Sequence, residues 1–221
     1  MSPPTMQQRM LRALIPADLA ADPQSWQQQK SARTRLQLIE AGIDCLLEGG
    51  YAGLTTHKAA ARAGVSRGAM QHHFTTRMTL VAAVVDHVFY ARMRLFLEDY
   101  LGQISEAGEE QLVAIATQAH WRSVQTREYA AYLELAVAAR SDAELLEHFG
   151  PAARRYDQVW VAEMIESFPQ WRDHWEEMKL ANDLAVAAHM GMSIMGDVLG
   201  PERIARLNQL IAQVLKGLYG D

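Results

Sequence analysis

The chain has 221 residues, 49% of them hydrophobic, a formal net charge of −5 and one cysteine, Cys45. That length and apolar content support one large packed domain or two small ones, and a lone cysteine excludes an internal disulfide scaffold. The first twenty residues hold no long apolar core ahead of a small-residue cleavage site, and no run of about 18 apolar residues suggests a membrane span, so a soluble protein of a reducing cytoplasm is expected.

The negative total conceals an asymmetry. Residues 1–30 carry +1. Residues 31–80 set Arg33, Arg35, Lys58, Arg62, Arg67 and Arg77 against Glu40, Asp44 and Glu48, for +3, so residues 81–221 carry −9. A basic N-terminal third on an acidic body points to an anionic partner for that third alone.

Residues 1–30 hold four of the seven prolines and little apolar periodicity, and read as an arm. Within it, Met6, Met10, Leu11, Leu14 and Ile15 would fall on one face of a short helix, the alternative to a plain arm. A strong helix is predicted from Ser31, where Leu36, Ile39, Ile43, Leu46 and Leu47 form one apolar stripe and Gly49-Gly50 supplies a stop. Cys45 lies inside it as a small buried group, with no base beside it to make it reactive. Thr55 or Thr56 then caps a helix to about Ala63, Gly64 turns the chain, Val65 plugs the corner, and Ser66 caps a second short helix whose Met70 and Phe74 face the core. A long helix follows from Thr76 to about Leu101. Further helices are predicted near 109–125, 128–139, 142–167, 171–199 and 202–218, punctuated by Gly108, Pro151, Pro169, Gly200 and Pro201. With no strand-like alternation and no internal repeat, the fold class is all-α.

Two short helices joined by Ala63-Gly64-Val65-Ser66 make a helix-turn-helix, the unit that lays its second helix in the DNA major groove. The capped N-termini aim backbone N–H groups and positive dipole ends at phosphates, with Thr55, Thr56 and Lys58 at the first. Gly68 and Ala69 are short enough for close approach to the groove. Arg67 is suited to guanine O6 and N7, and Gln71 to adenine N6 and N7. His72, His73 and Arg77 are suited to phosphate oxygens.

The segment from about 33 to 80 resembles the DNA-binding domain of the tetracycline-repressor (TetR) family. The residues carrying the likeness are Gly50-Tyr51, Leu54-Thr55-Thr56, Ala59-Ala60, Ala63-Gly64-Val65-Ser66, Gly68, His73-Phe74, Arg77 and Leu80. The resemblance implies a three-helix head (31–77, after the 1–30 arm) on a larger ligand-binding and dimerisation body (78–221). It implies DNA contacts from Thr56, His57, Arg67, Ala69, Gln71, His72 and His73, and a phosphate contact from Arg77 in place of the usual lysine. The sequence departs from the family at Gln71, where an aromatic is common, and at Thr75, where a turn residue is common.

In the body, Leu184, Ala188, Gly191, Met192 and Met195 on one helix, and Ile204, Leu207, Ile211, Val214 and Leu218 on the next, form stripes suited to a two-fold four-helix bundle. Their alternative is packing within one subunit. His120, Trp121, Tyr129, Tyr132, Phe149, Trp160, Met164 and Met192 supply large rings and flexible apolar groups. Each is ordinary core by default, and together they suit a pocket for a largely apolar effector. The resemblance places such a pocket beneath the fourth helix, and implies a repressor that a ligand releases from a palindromic operator. No cofactor or metal is expected. The Glu-x-x-His and His-Glu-x-x-His metal patterns, a phosphate loop and a Gly-x-Ser-x-Gly elbow are all missing. The rival readings are a helical enzyme using His120 or His189, and a helical adaptor that binds no DNA.

Overall fold

A computed structural model describes residues 4–20, 24–104, 108 and 111–219. All of its regular elements among these residues are helical: α1 (Met6–Leu14), α2 (Ala17–Ala20), α3 (Trp26–Gly53), α4 (Thr56–Ala63), α5 (Arg67–His73), α6 (Arg77–Ile104), α7 (Leu112–Ser123), α8 (Arg127–Ala139), α9 (Ala143–Ser167), a 3-10 turn (Pro169–His174), α10 (Trp175–Ile194) and α11 (Gly196–Tyr219). The predicted start of α7 at 109 lies outside the described residues.

The helix read as 171–199 starts at Trp175, after a 3-10 turn, and ends at Ile194, so that α11 begins at Gly196 rather than 202. Both ends of α3 also differ from the sequence reading, for identifiable reasons. α3 begins at Trp26 rather than near Ser31, because Ser25 and Gln28 form a reciprocal capping box. It also continues past Gly49-Gly50. Gly50 takes φ 62° and ψ −169°, which kinks the helix and lets one more turn run to Gly53. The segment read as an arm contains α1, whose Met10 and Leu14 are buried. The Ala13 carbonyl accepts a hydrogen bond from Arg155.

The chain forms two compact units. One comprises Gln8–Arg92 with Arg127–Val159. Its core joins Leu38, Ile43 and Leu46 of α3, Met70 of α5, Val81, Val84 and Val88 of α6, Leu135 of α8 and Phe149 of α9. Burial of so many branched apolar chains, at about 25 cal/mol per Å², is what holds α4 and α5 in place, since helices of eight and seven residues are not stable alone. Arg127 reinforces the same unit. It bonds Glu40 at 2.9 Å and Asp44 at 2.6 Å, tying the start of α8 to α3. His87 of α6 meets the other Glu40 oxygen at 2.9 Å.

The second unit comprises Met1–Gln7, Met93–Thr126 and Trp160–Asp221. Ala181, Ala185 and Met192 of α10 pack with Ile211 and Leu215 of α11, and Val113 and Trp121 of α7 close over them. Among the described residues no helix is long and apolar enough to cross a membrane.

Candidate nucleic-acid interface

The corner between α4 and α5 is built from local chemistry. The Thr55 hydroxyl accepts from the Lys58 amide at 3.2 Å, and the Ser66 hydroxyl from the Ala69 amide at 3.2 Å. Each cap satisfies one orphan donor of its helix start. Between them Gly64 sits at φ 65° and ψ 28°, the left-handed conformation that ends α4 and that a side chain would oppose. The Val65 amide returns to the Ala60 carbonyl at 3.0 Å, while its side chain packs on the core. Ala59 and Ala60 are buried at the contact with α3.

The opposite face is open. His57, Lys58, Ser66, Arg67, Gly68, Gln71 and His72 are exposed, and Thr55, Thr56, Ala69 and His73 are half-buried. Gly68 stands out within this group. A Cβ built there meets nothing within 4 Å, and its φ is not positive. Neither packing nor backbone strain inside the chain requires glycine at this position. Gln71 is engaged locally, its amide donating to the Thr75 carbonyl at 3.0 Å, so the side chain closes the end of α5. The His72 and His73 rings meet edge-on at 5.2 Å between centroids. Burial, then the neighbouring His72 and Arg35, lowers the His73 pKa and so disfavours the charged ring.

Two arginines hold α5 at this angle. Arg35 donates to the His73 carbonyl at 3.1 Å and lies over the Phe74 ring at 4.3 Å, a cation at the helix C-terminus. Arg77, matched by resemblance to a phosphate-binding lysine, is committed inward. It donates to the Leu54 carbonyl at 2.8 Å, the Tyr51 carbonyl at 2.7 Å and the Tyr51 hydroxyl at 3.2 Å, and stacks on the Tyr51 ring at 4.2 Å. The planar fork does here what a lysine ammonium cannot: it bridges two carbonyls while lying on a ring. Arg35 and Tyr51 were absent from the sequence-derived site because their roles depend on contacts 38 and 26 residues away.

The residues read as a pocket fall into two groups. Tyr129, Tyr132 and Phe149 lie in the first unit, with Phe89 and Tyr156. Arg92, which the sequence reading passed over, lies among them: its guanidinium is 3.7 Å from the Tyr132 centroid and 4.1 Å from that of Tyr129. His120, Trp121, Trp160, Met164 and Met192 lie in the second unit. There His120 Nδ1 meets His189 Nδ1 at 2.8 Å, and the Trp121 ring tilts over His189 at 5.7 Å. His189 is fully buried, and burial pushes its pKa down to about 4. Trp160 packs on Trp175 at 6.2 Å.

The stripes of α10 and α11 also divide. Ala188, Ile204, Leu207 and Ile211 pack inside the unit, whereas Leu184, Met195, Val214 and Leu218 are exposed, together with Leu180 and Leu210. Gly191 is half-buried. Three- and four-residue spacing marks an apolar helix but not which edge of a wide stripe its own subunit covers.

Comparison with known proteins agrees with this geometry. The family model "Bacterial regulatory proteins, tetR family" matches residues 38–84. An HTH-type transcriptional regulator of Mycobacterium tuberculosis is 33% identical over 150 residues, which are 65% of this chain and 75% of that protein. The HTH-type regulator CymR of Pseudomonas putida is 38% identical over 63 residues, 28% of this chain and 31% of that one. In fold, the chain is similar to Salmonella enterica GusR, with a TM-score of 0.62 at 17% identity over 86% of this chain and 97% of that one. It is also similar to a transcriptional regulator of a Rhodococcus species, with a TM-score of 0.57 at 19% identity over 82% and 95%. The helix-turn-helix geometry, the family match and the length of the mycobacterial alignment converge: this chain belongs to the tetR family of bacterial regulatory proteins and is a transcriptional regulator with a DNA-binding helix-turn-helix.

Proposed function

We propose that this regulator is a repressor that binds a palindromic operator as a homodimer and is released by a small, largely apolar effector. The observation that carries the DNA-facing half is the exposed side of α5, where Gly68 has room for a side chain and yet has none. Glycine in a helix is disfavoured by roughly 1 kcal/mol against alanine, so its place here is explained by a close approach from outside the chain. On this reading Arg67 contacts a base edge from the first turn of α5. Gln71 leaves the Thr75 carbonyl to read adenine, and Thr55, Thr56, His57, Lys58, Ser66, Ala69, His72 and His73 position the helix on phosphates. Arg77 supports the site from within.

The homodimer rests on the apolar residues that α10 and α11 leave uncovered, Leu180 at 65% exposed, Leu184 at 46%, Leu210 at 53% and Val214 at 42%. Leu180 and Leu184 lie one turn apart on α10, as do Leu210 and Val214 on α11, and adjacent uncovered apolar side chains favour a partner surface. Two copies joined across a two-fold axis set two recognition helices about one DNA turn apart. The test is selection of duplexes from a random library by the whole protein, followed by the mass of the complex. A palindromic consensus bound by an even number of chains supports the reading. A non-palindromic consensus bound by one chain overturns the dimer, and failure to enrich any sequence overturns operator recognition.

A further inference from the structure

We propose that Arg92 is the anion-recognising group of a binding site for a small carboxylate carried on an aromatic or aliphatic body, walled by Phe89, Tyr129, Tyr132 and Tyr156. Arg92 is 6% exposed, on α6. Among the described residues no carboxylate lies within ion-pair distance of it, and its Nε has no hydrogen-bond partner. Its surroundings are ring faces: Tyr132 at 3.7 Å, Tyr129 at 4.1 Å, Tyr156 at 5.1 Å and Phe89 at 5.8 Å from the guanidinium carbon. The Tyr129 phenol lies within hydrogen-bonding reach of the Arg92 guanidinium, and burial pushes its pKa up to about 12, so it offers a neutral acceptor and no counter-charge.

That arrangement is costly for the chain by itself. A buried lysine or histidine escapes by losing its proton, but a guanidinium does not titrate in the accessible range. Ring faces return only part of the hydration it gives up. Methionine would fill the same aromatic corner without the charge. An arginine kept there has a use that the isolated chain does not show, and the missing component is a negative charge. The class of anion follows from the cage. One guanidinium balances one charge, so a monoanion fits, whereas a phosphate dianion would leave a second charge among the rings. A carboxylate also matches the planar fork with two parallel hydrogen bonds, and the four rings suit the apolar body behind it.

This inference deepens the effector reading given above and rests on it. The test is thermal unfolding of the whole protein at constant ionic strength with matched pairs: benzoate and benzamide, 2-naphthoate and 2-naphthamide, octanoate and octanamide. At least one carboxylate should raise the wild-type Tm with concentration and bind about tenfold or more tightly than its amide, as expected of a charge-assisted pair. Arg92→Met should lose that preference and unfold at no lower temperature than wild type without ligand. Arg92→Gln, which keeps a planar polar end, serves the same purpose should the methionine variant not fold. Carboxylates that do no better than their amides, or a preference that survives in both variants, would overturn the site. Release of a selected operator duplex, measured with the same compounds, separates the two claims. Stabilisation through Arg92 with unchanged operator affinity leaves the anion site standing and removes ligand-driven release. Release by amides and carboxylates alike leaves ligand-driven release standing and removes the anion site.

Discussion

Replacing Gly68 with alanine should make this protein more stable and a weaker DNA binder. Gly68 is the second residue of α5, and the added methyl group meets nothing within 4 Å, so the substitution introduces no internal clash. The gain is the helix propensity of alanine over glycine, about 0.5–1 kcal/mol in a first turn. In a chain of this size that raises Tm by roughly 1–4 °C. The same methyl group points away from the protein, toward the surface on which Arg67, Gln71 and His72 are exposed. If that surface meets the duplex, the methyl group holds the helix off by a fraction of its own size and lengthens the neighbouring contacts. Loss of one base contact at about 1–3 kcal/mol corresponds to a drop in operator affinity of roughly fivefold to 150-fold. Chemical denaturation and fluorescence anisotropy on one preparation read both quantities. A variant that gains stability while its operator affinity stays within about twofold of wild type would refute the argument that Gly68 is kept small for DNA.

Further consequences concern single side chains. Gln71→Ala should relax discrimination at one base pair by about 1–3 kcal/mol; a uniform loss across all sequences would instead assign Gln71 to the backbone or to its bond with Thr75. Arg77→Met should cost about 1–3 kcal/mol of folding stability by stranding the Leu54 carbonyl and removing one of the two donors to the Tyr51 carbonyl, and unchanged stability would return Arg77 to the phosphate role implied by resemblance. His189 is held neutral with its pKa near 4 against an ordinary 6.5, so the unfolded chain takes up the proton first. Stability should therefore fall as pH drops from about 6.5 towards 4, by up to roughly 3 kcal/mol. His189→Gln should flatten that part of the profile, and an unaltered slope would contradict the assignment. Glu40 acts in the same direction, in a more acidic window. The bond from His87, with Arg127 beside it, lowers its pKa to about 2 from 4.5, so its contribution is complete above pH 4.5 and is lost as pH falls towards 2. Denaturation of Glu40→Gln and wild type should differ at neutral pH and converge at the acid end.

The head was legible because its signals are local. A cap at Thr55, a left-handed glycine at 64, a plug at Val65 and a second cap at Ser66 each follow from chemistry within four residues, and the structure realises every one. The long helices were legible from apolar periodicity, including the stop before Pro169 and the kink at Gly200, which takes φ 71°, but not the break at Met195 that ends α10 ahead of that kink. What the sequence hid is long-range. Arg77 reads as an exposed cation until Tyr51 and Leu54 are brought to it, and Arg92 reads as one more polar residue of an amphipathic helix until rings from α8 and α9 surround it. Composition gives the ring-rich residues of 120–192 no address; in the structure Tyr129, Tyr132 and Phe149 fall in the first unit and His120, Trp121, Trp160, Met164 and Met192 in the second. The α1 segment was read chiefly as an arm because four prolines outweighed five well-spaced apolar residues, yet Met10 is fully buried.

The claim on which the rest depends is that the exposed faces of α4 and α5 grip duplex DNA. The most direct measurement is the salt dependence of binding to a selected operator, by wild type and by Arg67→Ala and Lys58→Ala variants, with phosphate footprinting of the same complexes. Affinity should fall steeply as salt rises, through counterion release. Lys58→Ala should lower the slope by about one, and Arg67→Ala should chiefly lose discrimination at one base pair. Footprints should show two protected patches about one helical turn apart. Binding that is insensitive to salt, or indifferent to both substitutions, would contradict the account.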